Sequence, residues 1–190
     1  MNYSGIEDLT VTLDNGVLSL TFNRPDSLNS LTEAMLKTAA DTLDRAATDP
    51  HVKVVRLSGA GRGFSSGAGI SAEDQASATI SAGVDPLLAE ANRTVRAIAA
   101  LPKPVVAVVH GPAAGVGVSL ALVCDVVLAS EKAFFLLAFT KIGLMPDGGA
   151  SALVAAAIGR IRAMRMALLA ERITATEAFE YGLVLSLIHI

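Results

Sequence analysis

The sequence has few residues of the kinds that build covalent or metal-bound sites. It contains one cysteine, Cys124, among 190 residues, so an intramolecular disulfide and a cysteine-rich metal site are both excluded. No group of His, Asp and Glu has metal-ligand spacing, and we expect no metal. Charged residues make up 17%, against about 25% in an average domain. The net charge is −3 with no block of lysines or arginines, which argues against a nucleic-acid partner.

Long apolar runs and targeting signals are also lacking. The longest uncharged apolar stretch, Ala113–Cys124, is interrupted by glycines and is too short to span a bilayer. The first residues lack the basic region followed by an apolar stretch that is typical of a signal peptide. We therefore expect a soluble cytoplasmic protein with no membrane partner.

Apolar side chains, by contrast, are abundant at 52% of the residues. Such a surplus is typical of a fully buried sheet or a subunit interface. Residues 10–13 and 17–22 alternate between apolar and polar around Asn15-Gly16, which predicts a β-hairpin. Residues 105–109 are apolar on both faces, which predicts a central strand.

Helical patterns alternate with these strands. Residues Ser30-Leu31-Thr32-Glu33 match a capping box and predict a helix that ends at Asp49-Pro50. Its apolar stripe consists of Leu31, Met35, Ala39, Leu43 and Ala46. The pattern predicts further strands at 52–58 and 125–129 and further helices at 86–101, 149–158, 160–169 and 174–181. This order predicts an α/β fold.

Two loops of small residues share one design. Residues 59–69 and 110–117 each follow an apolar strand, and the second loop precedes a helix. Residues without bulky side chains let a ligand approach the backbone, and N–H groups at a helix start favour negative charge. Two such loops side by side could direct two N–H groups at one oxygen, as an oxyanion hole does. Tight turns and phosphate binding are the alternatives, although neither loop completes a dinucleotide or P-loop motif.

Four segments resemble, in order and spacing, the enoyl-CoA hydratase/isomerase (crotonase) family. They are Gly61–Ala68, Lys103–Gly117, Cys124–Ala129 and Lys141–Gly149, within a resemblance that covers about residues 6–184. The resemblance implies a crotonase-type spiral of repeated β-β-α units and a role in fatty acid metabolism. It implies an acyl-coenzyme A thioester as substrate, with no separate cofactor, and a homotrimer or a dimer of trimers. Family members continue for several helices, so we expect the C-terminal helices to be missing.

The resemblance also implies site residues. The oxyanion hole falls on the backbone N–H groups of Ala68 and Val116, where the family often has glycine at the second place. Residues implied to contact the substrate are Ser66, Gly67, Gly69, Ile70, Gly115, Phe139 and Arg24. For Arg24, a surface ion pair is the alternative.

The catalytic group is inferred from three positions. The two glutamates of family hydratases map to Ser119 and Phe139, so hydration by the usual mechanism is not expected. Asp147 lies where isomerase members carry Asp or Glu, including Δ3,Δ2-enoyl-CoA isomerases and the ring-opening isomerase of phenylacetate breakdown. Nearby apolar residues would raise the pKa of Asp147 if they line the pocket; they are Leu136, Leu137, Phe139 and Met145. From the residues alone, Asp147 is also a turn and helix N-cap signal.

These patterns predict an acyl-CoA double-bond isomerase with Asp147 as both base and acid. One alternative is another crotonase-type reaction, such as enoyl-CoA hydration. A second is a non-catalytic acyl-CoA-binding member or an inactive fragment.

The last six residues read differently from the rest. One back-translation of residues 185–190 matches a transposon end used in sequencing-library preparation. We therefore predict a crotonase-like core domain at 1–184 and a non-native tail at 185–190.

Overall fold

The computed structural model describes residues 3–68 and 85–189, which form a mixed sheet with helices packed on it. The strands of the main sheet are β1 (Leu9–Asp14), β2 (Val17–Phe22), β3 (Val54–Gly59), β4 (Val105–Val109), β6 (Val126–Ser130) and β9 (Ser186–Ile188). Their spatial order is β1-β2-β3-β4-β6-β9. The first pair is antiparallel, and all other neighbours are parallel.

The predicted hairpin and central strand are confirmed. Asn15 and Gly16 both have positive φ angles, 49° and 85°, as a two-residue hairpin turn requires. Strand β4 lies between β3 and β6 in the sheet. The carboxyl ends of β3 and β4 therefore lie side by side at one edge of the sheet.

A second, small sheet was not predicted from the sequence. It contains β5 (Pro112–Ala114), β7 (Phe134–Leu136) and β8 (Ile173–Thr174) in the order β5-β7-β8. Strand β5 also forms a parallel bridge from Ala113 to Ser65 in the first loop of small residues. The small sheet thus connects the two loops to each other.

The described helices are α1 (Glu33–Thr48), α2 (Pro86–Ala100), α3 (Val116–Leu122), α4 (Ala150–Leu169) and α5 (Ala175–Glu180). Helix α1 packs against α2, and the predicted apolar stripe of α1 is buried. Arg93 of α2 forms ion pairs with Asp41 and Asp44 of α1, at 2.5 and 2.7 Å. Gly159, at φ 76° and ψ 161°, interrupts α4, so the two helices predicted on either side of it are confirmed.

The predicted capping box at residues 30–33 is wrong. The N-cap of α1 is Thr32, whose hydroxyl accepts a hydrogen bond from the Met35 N–H at 3.2 Å. Ser30 instead donates its hydroxyl to Ser27 Oγ at 2.8 Å and accepts from Arg24 Nη1 at 2.8 Å. The Ser30 hydroxyl is thus bound within the preceding turn and cannot cap the helix.

The single thiol is buried. Cys124 is 7% exposed, and burial raises the pKa of its thiol to about 12. Its Sγ donates to the carbonyl oxygen of Leu120 at 3.2 Å. Since the thiolate is the reactive form, this cysteine is inert in the folded protein.

Across residues 3–68 and 85–189, no helix combines the length and apolarity needed to cross a bilayer.

The segment predicted to be a non-native tail contributes to the sheet. Its residues 186–188 form β9, which pairs in parallel with β6 at the edge of the main sheet. Backbone hydrogen bonds at a sheet edge can be made by almost any sequence. The pairing therefore does not decide the origin of these residues, and the boundary at 184 stays a prediction.

Candidate active site

The two loops of small residues lie against each other. The N–H of Ser65 donates to the carbonyl of Pro112 at 3.1 Å, and the N–H of Ala114 donates to the carbonyl of Ser65 at 2.8 Å. Phe64 is fully buried and packs edge-on against Phe22 of β2, with ring centroids 5.7 Å apart. These contacts fix the end of the first loop beside β5.

Gly67 and Gly115 lie close to each other where the loops meet. A methyl group on Gly67, at φ +91°, would lie 2.8 Å from the carbonyl oxygen of Ala114 and 3.4 Å from Gly115 Cα. A methyl group on Gly115, at φ +52°, would lie 3.8 Å from Gly67 Cα. Ala68 and Val116 follow these two glycines directly. The two predicted amide donors are therefore carried by backbone segments that touch.

The Val116 amide is available because of its place in the helix. Val116 is the first residue of α3, and the first N–H groups of a helix have no partner within it. Gly115 is the N-cap and provides no side-chain hydrogen bond. The positive end of the short helix and the Val116 N–H are thus both presented next to Gly67.

Asp147 lies against the same helix. Its carbonyl oxygen accepts from Ser119 Oγ of α3 at 3.2 Å. A methyl group on the next residue, Gly148, would lie 3.2 Å from Ser119 Oγ and 3.7 Å from Val116 Cγ1. These contacts place the Asp147 backbone beside the turn of α3 that begins with Val116.

The Asp147 carboxyl group is partly buried, and one of its oxygens has no described partner. Its Oδ1 is buried and has no hydrogen-bond partner within the described ranges. Burial raises the pKa of Asp147; its own backbone N–H opposes this rise, and the negative charge of Asp85 adds to it. A carboxylate that is desolvated is a stronger proton acceptor than one in water.

The interpretation of Asp147 as a helix N-cap is wrong. The N-cap of α4 is Gly149, at φ 83°, and no side chain caps this helix. Helix capping therefore does not account for the Asp147 side chain.

The remaining predicted residues are only partly brought together. Phe139 is 6% exposed, and its Cζ would lie 3.8 Å from a methyl group on Gly115. Ser66 donates its hydroxyl to the carbonyl of Ser27 at 2.9 Å. Gly69 and Ile70 lie outside the described residues. Of the apolar residues expected around Asp147, Leu137 is buried but Met145 is 83% exposed.

Arg24 makes the surface ion pair that was the alternative to a role in substrate binding. Its Nη1 donates to the Ser30 carbonyl at 3.0 Å, and its Nε lies 3.7 Å from Asp8 Oδ2. A surface ion pair is thus present. The role of Arg24 in substrate binding stays a prediction.

Two buried polar residues of the site were missed from the sequence, Asn29 and Ser65. Both are 0% exposed. Ser65 Oγ accepts from the Gly67 N–H at 3.1 Å and donates to the Asn29 carbonyl at 2.9 Å. An asparagine just after a Pro-Asp-Ser turn is a signal for left-handed backbone, but it does not reveal the distant partners.

The chain is similar in sequence to several known proteins. A family model described as enoyl-CoA hydratase/isomerase matches residues 12–188. The 1,2-epoxyphenylacetyl-CoA isomerase of Escherichia coli K12 is 39% identical over 177 residues, which cover 90% of this chain and 66% of the relative. The 2,3-dehydroadipyl-CoA hydratase of the same organism is 37% identical over 181 residues, which cover 94% and 68%.

Solved structures share the fold. A crystal structure of an enoyl-CoA hydratase from Mycobacterium avium subsp. paratuberculosis K-10 superposes with a TM-score of 0.87 at 66% identity, covering 97% of this chain and 69% of that one. This similarity confirms the predicted crotonase-type α/β fold. The chain spans about two thirds of the length of the relatives it matches.

Proposed function

The chain belongs to the enoyl-CoA hydratase/isomerase (crotonase) family, and from this premise we propose that it is an acyl-CoA double-bond isomerase. It converts a Δ3-enoyl thioester of coenzyme A to the Δ2 isomer. Two facts together carry the proposal: a buried carboxylate oxygen of Asp147 has no hydrogen-bond partner among the described residues, and the Asp147 backbone lies beside the helix that presents the Val116 amide. Coenzyme A enters as part of the substrate, and no separate cofactor is proposed.

The reaction needs one base and one oxyanion site. Asp147 removes a proton from C2, and the electrons of the C2–H bond move toward the thioester oxygen to give a dienolate. The Ala68 and Val116 N–H groups donate to that oxygen and stabilise its charge. Asp147 then returns the proton to C4, a C4–H bond forms, and the double bond lies between C2 and C3. Atoms and electrons balance without water or a redox partner.

The two positions to which the glutamates of family hydratases map, Ser119 and Phe139, favour isomerisation over hydration. Ser119 is 0% exposed, and its hydroxyl donates to the Asp147 carbonyl. Phe139 is 6% exposed and packs next to Gly115. Neither residue can ionise to a carboxylate that activates water.

Hydration is the second candidate because a specific observation favours it. The solved structure that is 66% identical to this chain is described as an enoyl-CoA hydratase. If this chain is a hydratase, Asp147 must activate water without the two carboxylates of the usual mechanism.

Two incubations of the whole protein separate the candidates. An isomerase converts cis-3-enoyl-CoA to a conjugated product of unchanged mass and leaves trans-2-enoyl-CoA without added water. A hydratase converts trans-2-enoyl-CoA to a product heavier by one water molecule. Mass spectrometry of both mixtures therefore decides, and water addition without double-bond movement would refute the isomerase.

The proposed assembly is a cytoplasmic homotrimer or dimer of trimers. The second half of α4 exposes Ile161 by 76%, Leu168 by 60% and Leu169 by 63%. Apolar side chains clustered on one helix segment support contact with another protein surface.

Neutralising Asp85 is expected to change the pH dependence. Burial and, to a smaller extent, the charge of Asp85 raise the pKa of Asp147. A base is active only when ionised, so kcat/KM increases as pH rises through this pKa. In Asp85→Asn the acidic limb of the kcat/KM profile should move to lower pH. Asparagine can still accept from the Leu87 N–H, as Asp85 Oδ1 does at 2.9 Å, so the α2 cap is kept.

The control for this shift is Glu180→Gln, which removes an exposed charge at the end of α5. Its acidic limb should coincide with that of the unmodified protein. An unchanged limb in Asp85→Asn would show that Asp85 does not influence the catalytic base.

A further inference from the structure

The turn between β2 and α1 has an unusual backbone. Leu28 and Asn29 both have positive φ angles, 54° and 58°. Asparagine tolerates this left-handed region, but leucine rarely adopts it. The Asn29 N–H donates to the Arg24 carbonyl, and the Arg24 N–H donates to Asn29 Oδ1, both at 2.8 Å. Backbone held in a sparsely populated conformation by several contacts often marks a functional constraint.

The Asn29 side chain leaves the turn and holds the first loop of small residues. Asn29 is 0% exposed, and its Nδ2 donates to the carbonyls of Ala60 at 2.9 Å and Gly63 at 2.8 Å. A methyl group on Gly59 would lie 2.7 Å from the same Nδ2. Both amide hydrogens and the amide oxygen of Asn29 are thus used. A glycine-rich loop has few side chains that could fix its own conformation, and Asn29 supplies those contacts.

The same turn fixes the last part of the loop. The Asn29 carbonyl accepts from Ser65 Oγ, which in turn accepts from the Gly67 N–H. The Ser66 N–H donates to the Leu28 carbonyl at 2.8 Å. The Leu31 N–H donates to the Gly67 carbonyl, also at 2.8 Å.

The bond to the Gly67 carbonyl sets the direction of the Ala68 amide. The Gly67 carbonyl and the Ala68 N–H belong to one planar peptide group, and in a trans peptide the two point in opposite directions. Because the carbonyl points at Leu31, the Ala68 N–H points away from the turn. The hydrogen bonds of the turn thus determine where this amide can donate.

We propose that Asn29 is a positioning residue for the oxyanion hole, acting through the Ser65–Ala68 segment to aim the Ala68 N–H at the thioester oxygen. The proposal rests on the isomerase function proposed above. Through the Ala68 N–H, Asn29 stabilises the dienolate, in which negative charge has developed on the oxygen, more than it stabilises the bound substrate. Its loss should therefore lower kcat and leave KM nearly unchanged.

Two variants test this role in the whole protein. Asn29→Gly keeps the left-handed backbone accessible and removes the three side-chain hydrogen bonds. Asn29→Asp keeps the shape but turns a carboxylate toward the Ala60 and Gly63 carbonyls. In both, kcat should fall by as much as about 100-fold, the scale expected for a small misplacement of a reacting group. A rise in KM with kcat unchanged would contradict the proposal.

Thr94→Ala is the matched control. Thr94 is buried and donates its hydroxyl to the Leu36 and Glu90 carbonyls, at 3.0 and 2.8 Å, between α1 and α2. The substitution deletes a buried hydrogen-bonding side chain that lies away from the loop. It should lower the melting temperature without lowering kcat. If the loss of kcat in Thr94→Ala and Asn29→Gly is proportional to the fall in melting temperature, Asn29 only stabilises the fold.

A spectroscopic measurement separates this proposal from the proposed function. In an Asp147→Asn background turnover is slow enough to observe bound substrate, and the carbonyl stretch of an isotope-labelled acyl-CoA reports how strongly the two amides polarise it. Binding should lower the frequency when Asn29 is present, and the shift should shrink in the double variant with Asn29→Gly. Equal frequency shifts in the single and double variants would refute the role of Asn29 but leave the proposed oxyanion hole intact. No shift with Asn29 present would overturn the oxyanion hole itself.

Discussion

Replacing Asp147 with asparagine is expected to lower kcat for isomerisation by about 10²–10⁴-fold, the range for loss of a general acid–base group. The folded state should be almost unaffected. Asp147 Oδ1 has no hydrogen-bond partner within residues 3–68 and 85–189, and Asp147 does not cap α4. Because burial and Asp85 make the charged form less favourable in the folded state, the melting temperature at neutral pH should stay constant or rise.

The measurement is kcat on a 3-enoyl-CoA together with a melting curve of the same sample. Asp14→Asn is a suitable control because it removes an exposed carboxylate at the end of β1. The control should keep both activity and stability. An Asp147→Asn variant that still isomerises the substrate would end the proposed mechanism.

Gly67→Ala is expected to lower kcat by about 10²–10³-fold, as loss of one oxyanion-hole donor does. The added methyl group would lie 2.8 Å from the Ala114 carbonyl oxygen, and the backbone cannot relieve this contact unless the two loops separate. Separation moves the Ala68 amide relative to the Val116 amide. The φ of +91° adds conformational strain that any L-residue would experience.

Gly182→Ala is the control that distinguishes the effect of backbone strain from the effect of moving the two loops apart. Gly182 has φ +80°, and a methyl group added there would lie 4.0 Å from its nearest neighbour, the Ala157 carbonyl oxygen. Both variants incur the cost of a left-handed alanine, so both should melt at lower temperature. Only Gly67→Ala should lose kcat in a steady-state assay at a temperature where both are folded. Similar kcat values in the two variants would refute the contact between loops as a requirement for catalysis.

Local patterns were sufficient to predict several elements of the fold. The hairpin at Asn15-Gly16 depends on two adjacent residues that adopt positive φ. The break at Gly159 likewise depends on one residue. The positions of the two small-residue loops after β3 and β4 follow from strand patterns, and the parallel pairing of these strands brings the loops together.

Features that depend on distant partners could not be predicted. Strand β5 is three residues long, and its pairing with β7 joins residues 112–114 to 134–136. Asn29 bonds to Ala60 and Gly63, 31 and 34 residues further along the chain. No local pattern indicates these partners, so Asn29 resembled an ordinary turn residue.

The position of Asp147 also depends on a distant partner that the sequence does not indicate. Its Pro-Asp-Gly-Gly context favours a turn and a helix cap, and only the contact with Ser119, 28 residues earlier, places it beside α3. The predicted cap at Ser30 failed for a related reason. Its hydroxyl bonds to the side chains of Arg24 and Ser27, and sequence spacing does not show that competition.

The most direct test is a crystal structure of the whole protein carrying Asp147→Asn with a bound 3-enoyl-CoA. The account predicts a thioester oxygen about 2.7–3.1 Å from both the Ala68 and Val116 nitrogens. It also predicts C2 of the acyl chain about 3–3.5 Å from the side chain at position 147. A thioester carbonyl bound away from either amide, or a side chain at position 147 that faces open solvent, would contradict the account.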